Sequence, residues 1–115
     1  MNTLQATVQE LGFPTIEEFA RFHALDILEH KLVMYEKELS NFQQKYGVEL
    51  QDFEKNSSAF TKHSILEKED DFIEWESILH SFKSVQRKIT ELKSETQIVS
   101  KIDYRKKLED YFQNV

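Results

Sequence analysis

Two stretches of the chain repeat one apolar spacing. Leu28, Leu32, Tyr35, Leu39, Phe42 and Tyr46 stand at intervals of 4-3-4-3-4, and Trp75, Ile78, Phe82, Val85, Ile89 and Leu92 at 3-4-3-4-3. Residues three and four apart line one side of a helix, so each set forms one apolar seam. The pattern predicts two long helices packed antiparallel, with their seams facing each other.

Breakers and caps set the expected boundaries. Leu4, Val8 and Leu11 fall on one face of a short helix over 3–11. Gly12 fits the left-handed position after a helix, with Phe13 placed to pack back on the last turn. Pro14 blocks continuation. Thr15-Ile-Glu-Glu18 reads as a capping box, flanked by Phe13 and Phe19 at the positions of a hydrophobic staple. The first long helix is expected over 16–46, stopped by Gly47. A linker over 47–66 holds a short helix near Leu50–Lys55 and a loop at Asn56-Ser57-Ser58. Ser64-Ile-Leu-Glu67 is a second capping box within an otherwise ambiguous stretch. The second long helix is expected over 67–95, its first turns carrying Glu67, Glu69, Asp70 and Asp71, which the helix macrodipole favours. Residues 97–113 are expected as an amphipathic helix, either continuous with its predecessor or folding only against a partner.

The expected class is all-α: one domain, a long antiparallel helical hairpin with short flanking helices. Phe22, Ile27, Val33, Phe72 and Leu79 sit off the two seams. A second hairpin is the simplest cover for them, which predicts a homodimer forming a four-helix bundle.

Composition narrows this further. The 115 residues suit one domain, and both Gly and the single Pro lie at or before Gly47, so nothing after it strongly breaks a helix. The absence of cysteine excludes disulfides, thiol catalysis and cysteine zinc sites. The first twenty residues hold no Lys or Arg and no apolar run, and no stretch is long enough to span a bilayer. A cytoplasmic protein with no membrane partner is expected. The net charge of -6 opposes general nucleic-acid binding. It is unevenly spread: 48–80 holds nine acidic against three basic residues, while 81–115 holds eight basic against five acidic. That asymmetry points to self-association of opposite patches or to a basic protein partner.

Candidate chemistry is sparse. Asp26/His30 and Glu76/His80 are four apart on helices, but the Glu-x-x-His repeats of a di-metal bundle are missing. The acidic cluster lacks the alternating ligands and Gly turn of a calcium loop. The helix-turn-helix rhythm of 3–28 has Glu17 and Glu18 where a recognition helix needs cations. No phosphate loop or nucleophile–base arrangement occurs. The expectation is a non-enzyme without metal or cofactor.

Two features look partner-directed. Ile102, Leu108, Tyr111 and Phe112 form an apolar face beside Lys101, Arg105, Lys106 and Lys107, in a segment suited to a bundle or a partner groove. Trp75 stands on a seam, as a core ring or as an interface anchor. The residues expected at a partner or oligomer interface are therefore Phe72, Trp75, Leu79, Phe82, Ile102, Arg105, Leu108, Tyr111 and Phe112. Glu67, Glu69, Asp70, Asp71 and Glu74 form the expected acidic docking patch.

Four segments carry a family resemblance. They are the run from Glu10 to Leu25 (ELGFPTIEEFARFHAL), Tyr35-Glu-Lys-Glu-Leu39, the turn from Phe42 to Glu54 (FQQKYGVELQDFE), and the helix start from Glu67 to Ser77 (EKEDDFIEWES). Together they resemble small acidic helical antitoxins of bacteria and archaea encoded beside TumE-type toxins. Its best marks are Lys-Tyr-Gly-Val-x-Leu-x-x-Phe-Glu at 45–54 and Glu-Asp-Asp-x-x-x-Trp-Glu at 69–76. The resemblance covers about residues 10–95 and stops short of the basic tail. It implies neutralisation of a cognate toxin by tight protein–protein binding. An acidic antitoxin facing a basic toxin is physically sensible, since opposite fields speed encounter and set specificity.

Overall fold

The computed structural model describes residues 2–95 and residue 113. The elements in order are α1 (Thr3–Glu10), α2 (Ile16–Tyr46), α3 (Leu50–Lys55), a 3-10 turn (Ser57–Ala59) and α4 (Ile65–Glu95). Among the described residues there is no strand. α2 and α4 pack against each other as a hairpin. The end of α2 meets the start of α4 through Lys45 and Asp71 at 2.6 Å. The start of α2 meets the end of α4 through Arg21 and Glu95 at 3.6 Å and Glu29 and Lys93 at 3.8 Å. The pairing is therefore antiparallel.

Local chemistry explains the boundaries. Asn2 caps α1: its side chain accepts from the Gln5 N–H at 2.8 Å, and the Gln5 side chain accepts from the Asn2 N–H at 3.0 Å. Gly12, at φ +98°, ends α1 in a Schellman motif. The Phe13 N–H donates to the Val8 carbonyl at 3.1 Å and the Gly12 N–H to the Gln9 carbonyl at 3.0 Å. The Thr15 hydroxyl caps α2, accepting from the Glu18 N–H at 3.1 Å. The Ser64 hydroxyl does the same for α4 from the Glu67 N–H, also at 3.1 Å. That cap starts α4 at Ile65, two residues before the acidic run that marked the expected start.

Gly47 stops α2 at φ +71°. A Cβ added there would meet nothing within 4 Å, so only the left-handed backbone opposes a side chain. Gly47→Ala is expected to cost about 1–2 kcal/mol in urea unfolding. A cost near zero would show that the turn relaxes to another conformation.

The described chain divides into two units. One joins residues up to Glu29 to the end of α4 from Arg87, and the other is His30–Gln86. In the first, Val8, Phe13 and Phe22 form a buried cluster with Leu11, Ile16 and Phe19 packed on it. The Phe13 ring lies edge-on to Phe19 at 5.2 Å. Phe22 is thus covered by the α1 corner of its own chain, so it does not require a second copy. In the second unit, Tyr46, Phe53 and Trp75 are buried, with Leu39, Phe42, Val48, Leu50, Phe60 and Phe72 against them. Phe72 therefore also finds cover at home.

Both seams are where the spacing put them. Tyr46, Trp75, Ile78, Val85 and Ile89 are buried, and the remaining seam positions are half-buried. Among the described residues no helix is long and apolar enough to cross a membrane.

Candidate functional site

The start of α4 divides by helical angle into two faces, and the acidic cluster divides with it. Glu67 and Asp71, four apart, turn toward the end of α2. Lys45 Nζ donates to Glu67 at 2.8 Å and to Asp71 at 2.6 Å. The Tyr46 hydroxyl donates to the same Asp71 oxygen. His63 Nδ1 sits 3.0 Å from the other oxygen of Glu67. The Lys45 ammonium also lies 5.5 Å from the centre of the Tyr46 ring.

This network sets its own protonation. Hydrogen bonds to Asp71 and then Glu67 hold the Lys45 ammonium charged well above the usual lysine range. Burial, reinforced by the bond to Asp71, pushes the Tyr46 phenol up to about 12. Burial works against the Asp71 carboxylate, but the bonds from Lys45 and Tyr46 outweigh it and hold its pKa below the ordinary value. Hydrogen bonds from Lys45 and then His63 lower Glu67. A tyrosine held neutral between a lysine and a carboxylate is a clamp across the hairpin rather than a poised acid or base.

Above the clamp lies a stack of rings. Trp75 is 1% exposed. It stacks on Phe42 at 5.4 Å and on Tyr46 at 6.1 Å, and touches Phe53 at 5.6 Å. Trp75 is therefore a core ring of its own chain and offers no free surface to a partner. Glu67 and Asp71 of the expected acidic patch are engaged within the chain, the two carboxylates sharing the one Lys45 ammonium.

The other face of α4 is free. Leu66, Asp70 and Ile73 lie opposite the seam, flanked by Glu69 on one side and Glu74 on the other. Leu66 is 69% exposed and Ile73 is 67% exposed, with Ile65 beside them at 73%. Glu69, Asp70 and Glu74 are exposed and have no ion-pair partner among the described residues. This is a strip of large apolar side chains interleaved with uncompensated acids. Sequence reading found its acids but missed Ile65, Leu66 and Ile73, because they are off the seam. The seven-residue spacing of Leu66 and Ile73, which puts both on one helix face, was the available signal.

Of the other expected interface residues, Phe72, Leu79 and Phe82 are half-buried. Ile102, Arg105, Leu108, Tyr111 and Phe112 lie outside the described residues. Glu76 and His80 are exposed. His23 instead packs edge-on to Phe19 at 4.5 Å and Phe22 at 5.5 Å. Among the described residues no group of three His, Asp or Glu is placed to hold a metal ion.

The two marks of the antitoxin resemblance meet in space. Lys45, Tyr46 and Phe53 come from the first, and Asp71 and Trp75 from the second. They are the clamp and the ring stack, so these motifs encode the joint of the hairpin. The family described as "Uncharacterized protein MJ0235 family" matches residues 1–97, and the chain belongs to it. No curated protein and no solved structure matches the chain.

Proposed function

We propose that this MJ0235-family chain is a non-enzymatic binding protein that neutralises a cognate basic protein by direct contact, in the manner of an antitoxin in the cytoplasm. The observation that carries the reading is the free face of α4. Monomeric proteins bury large aliphatic side chains where they can, and three of them stand here at 67–73% exposure among acids without partners. Such a face suits a partner with an apolar patch ringed by Lys and Arg. The resemblance to antitoxins beside TumE-type toxins supplies the kind of partner, a small protein encoded next to this one.

The test is a binding titration between this chain and the product of the neighbouring small gene. Asp70→Lys with Glu74→Lys is expected to weaken binding by about tenfold or more and to flatten its salt dependence. Both side chains are exposed, so the melting temperature should hold. Unchanged affinity in the folded variant would remove the α4 face from the interface.

A second reading is a self-assembling adaptor. It is favoured by Val33 and Met34 on α2, exposed at 64% and 60%. In that reading a homodimer covers them. Val33→Lys with Met34→Lys is then expected to give a monomer in sedimentation, and an unaltered mass would reject this surface.

A further inference from the structure

Within the unit His30–Gln86, exposed apolar side chains stand in two charge settings. On α4, Ile65, Leu66 and Ile73 stand among Glu69, Asp70 and Glu74. A second copy brought to that face would meet its own sign of charge. On α2, Val33 and Met34 stand among Lys31, Glu36, Lys37 and Glu38, two cations and two anions. All four are exposed and have no ion-pair partner among the described residues. The α2 face can therefore meet a copy of itself without net repulsion.

The order of these charges sets the orientation. Lys31 stands three residues before Met34 and Glu38 four after it. At 3.6 residues per turn both fall on the same side of Met34, about 60° and about 40° round the helix. Along the axis they lie about 4.5 Å to one side and about 6 Å to the other. A copy related by a twofold axis at Met34, and running antiparallel, then sets each Lys31 opposite the other copy's Glu38. A parallel copy would set Lys31 against Lys31 and Glu38 against Glu38. His30 and Lys37, on the other side of Met34, supply no pair of opposite sign, so the orientation rests on Lys31 and Glu38.

We propose that α2 is the interface between two copies of this chain, crossing antiparallel at Met34, with Lys31 of each copy paired to Glu38 of the other. Charges that flank an apolar contact choose partner and direction in paired helices. Met34 suits the centre, since an unbranched thioether adapts its packing to its own twin. The proposal rests on the self-assembling reading and uses no residue of the α4 face.

The test is sedimentation of the full chain over a dilution series. The parent chain is expected to form a dimer. Lys31→Glu alone and Glu38→Lys alone should each weaken it by about tenfold or more, because one substitution turns both symmetric attractions into repulsions. An equimolar mixture of the two single variants should recover the dimer as a heterodimer, and Lys31→Glu with Glu38→Lys in one chain should recover it as a homodimer. Both side chains are exposed, so circular dichroism should show every variant folded. A parent chain that stays monomeric would overturn the self-assembling reading and this proposal together. A parent dimer that is indifferent to the single changes, or single variants that fail to recover on mixing, would overturn the Met34 crossing alone.

Discussion

Trp75→Ala is expected to destabilise the chain by about 3–5 kcal/mol in chemical unfolding, the usual cost of truncating a large core ring. The size follows from the surroundings. Trp75 is 1% exposed and bounded by the rings of Phe42, Tyr46 and Phe53. Phe42 and Tyr46 belong to α2, Phe53 to α3 and Trp75 to α4, so the indole joins three helices at one point. A cavity there cannot close by a small shift of one element. Trp75→Phe keeps part of the stack and should lose less than the alanine variant. A loss below about 1 kcal/mol for the alanine change would mean that the ring is exposed in solution and the seam misassigned.

Asp71→Asn is expected to cost about 1.5–3 kcal/mol, because it removes the charge from an acceptor shared by Lys45 and the buried Tyr46 hydroxyl. Tyr46 is 6% exposed, so its hydroxyl has little access to replacement water. The pH profile carries the same prediction. The folded Asp71 pKa lies below the ordinary 3.8. Its contribution is therefore present above about pH 4 and lost as pH falls through the lower folded value. The Tyr46 pKa is raised from 10.0 to about 12. Its contribution is full below pH 10 and lost as pH climbs from 10 toward 12. Tyr46→Phe should flatten the alkaline limb, and Asp71→Asn should shrink the acid limb. Limbs identical to those of the parent chain would show that the clamp does not form.

The hairpin was legible because it rests on periodicity. Every seam residue from Leu28 to Tyr46 and from Trp75 to Leu92 is buried or half-buried. The stops at Gly12 and Gly47 were legible too, since both need positive φ. What the spacing could not show is which acids are spent inside the fold. Glu67, Glu69, Asp70 and Asp71 are near neighbours in sequence, yet a rotation of 100° per residue sends two to Lys45 and leaves two in water. The same limit hid the cover over Phe22. Helical phase places it off the seam, but only the Schellman turn at Gly12 swings Phe13 back to meet it at 5.2 Å. Long-range pairs such as Lys45 with Asp71 have no local signature. Their trace was indirect, in that both sat inside the segments that carry the resemblance.

The free face of α4 depends on that same rotation. Residues that serve the hairpin joint and residues left exposed alternate within a few turns. A substitution on one face can therefore be read without disturbing the other. Leu66→Glu and Ile73→Glu alter only exposed side chains, whereas Asp71→Asn and Trp75→Ala alter the fold.

The measurement that bears most directly on the account is a growth assay. The neighbouring small gene is expressed alone, together with this chain, and together with its Leu66→Glu/Ile73→Glu variant. The account predicts growth arrest by the neighbour alone, relief by the parent chain, and loss of relief by a variant that is folded and equally abundant. A neighbour without effect on growth, or a toxic one that the parent chain fails to relieve, would contradict it.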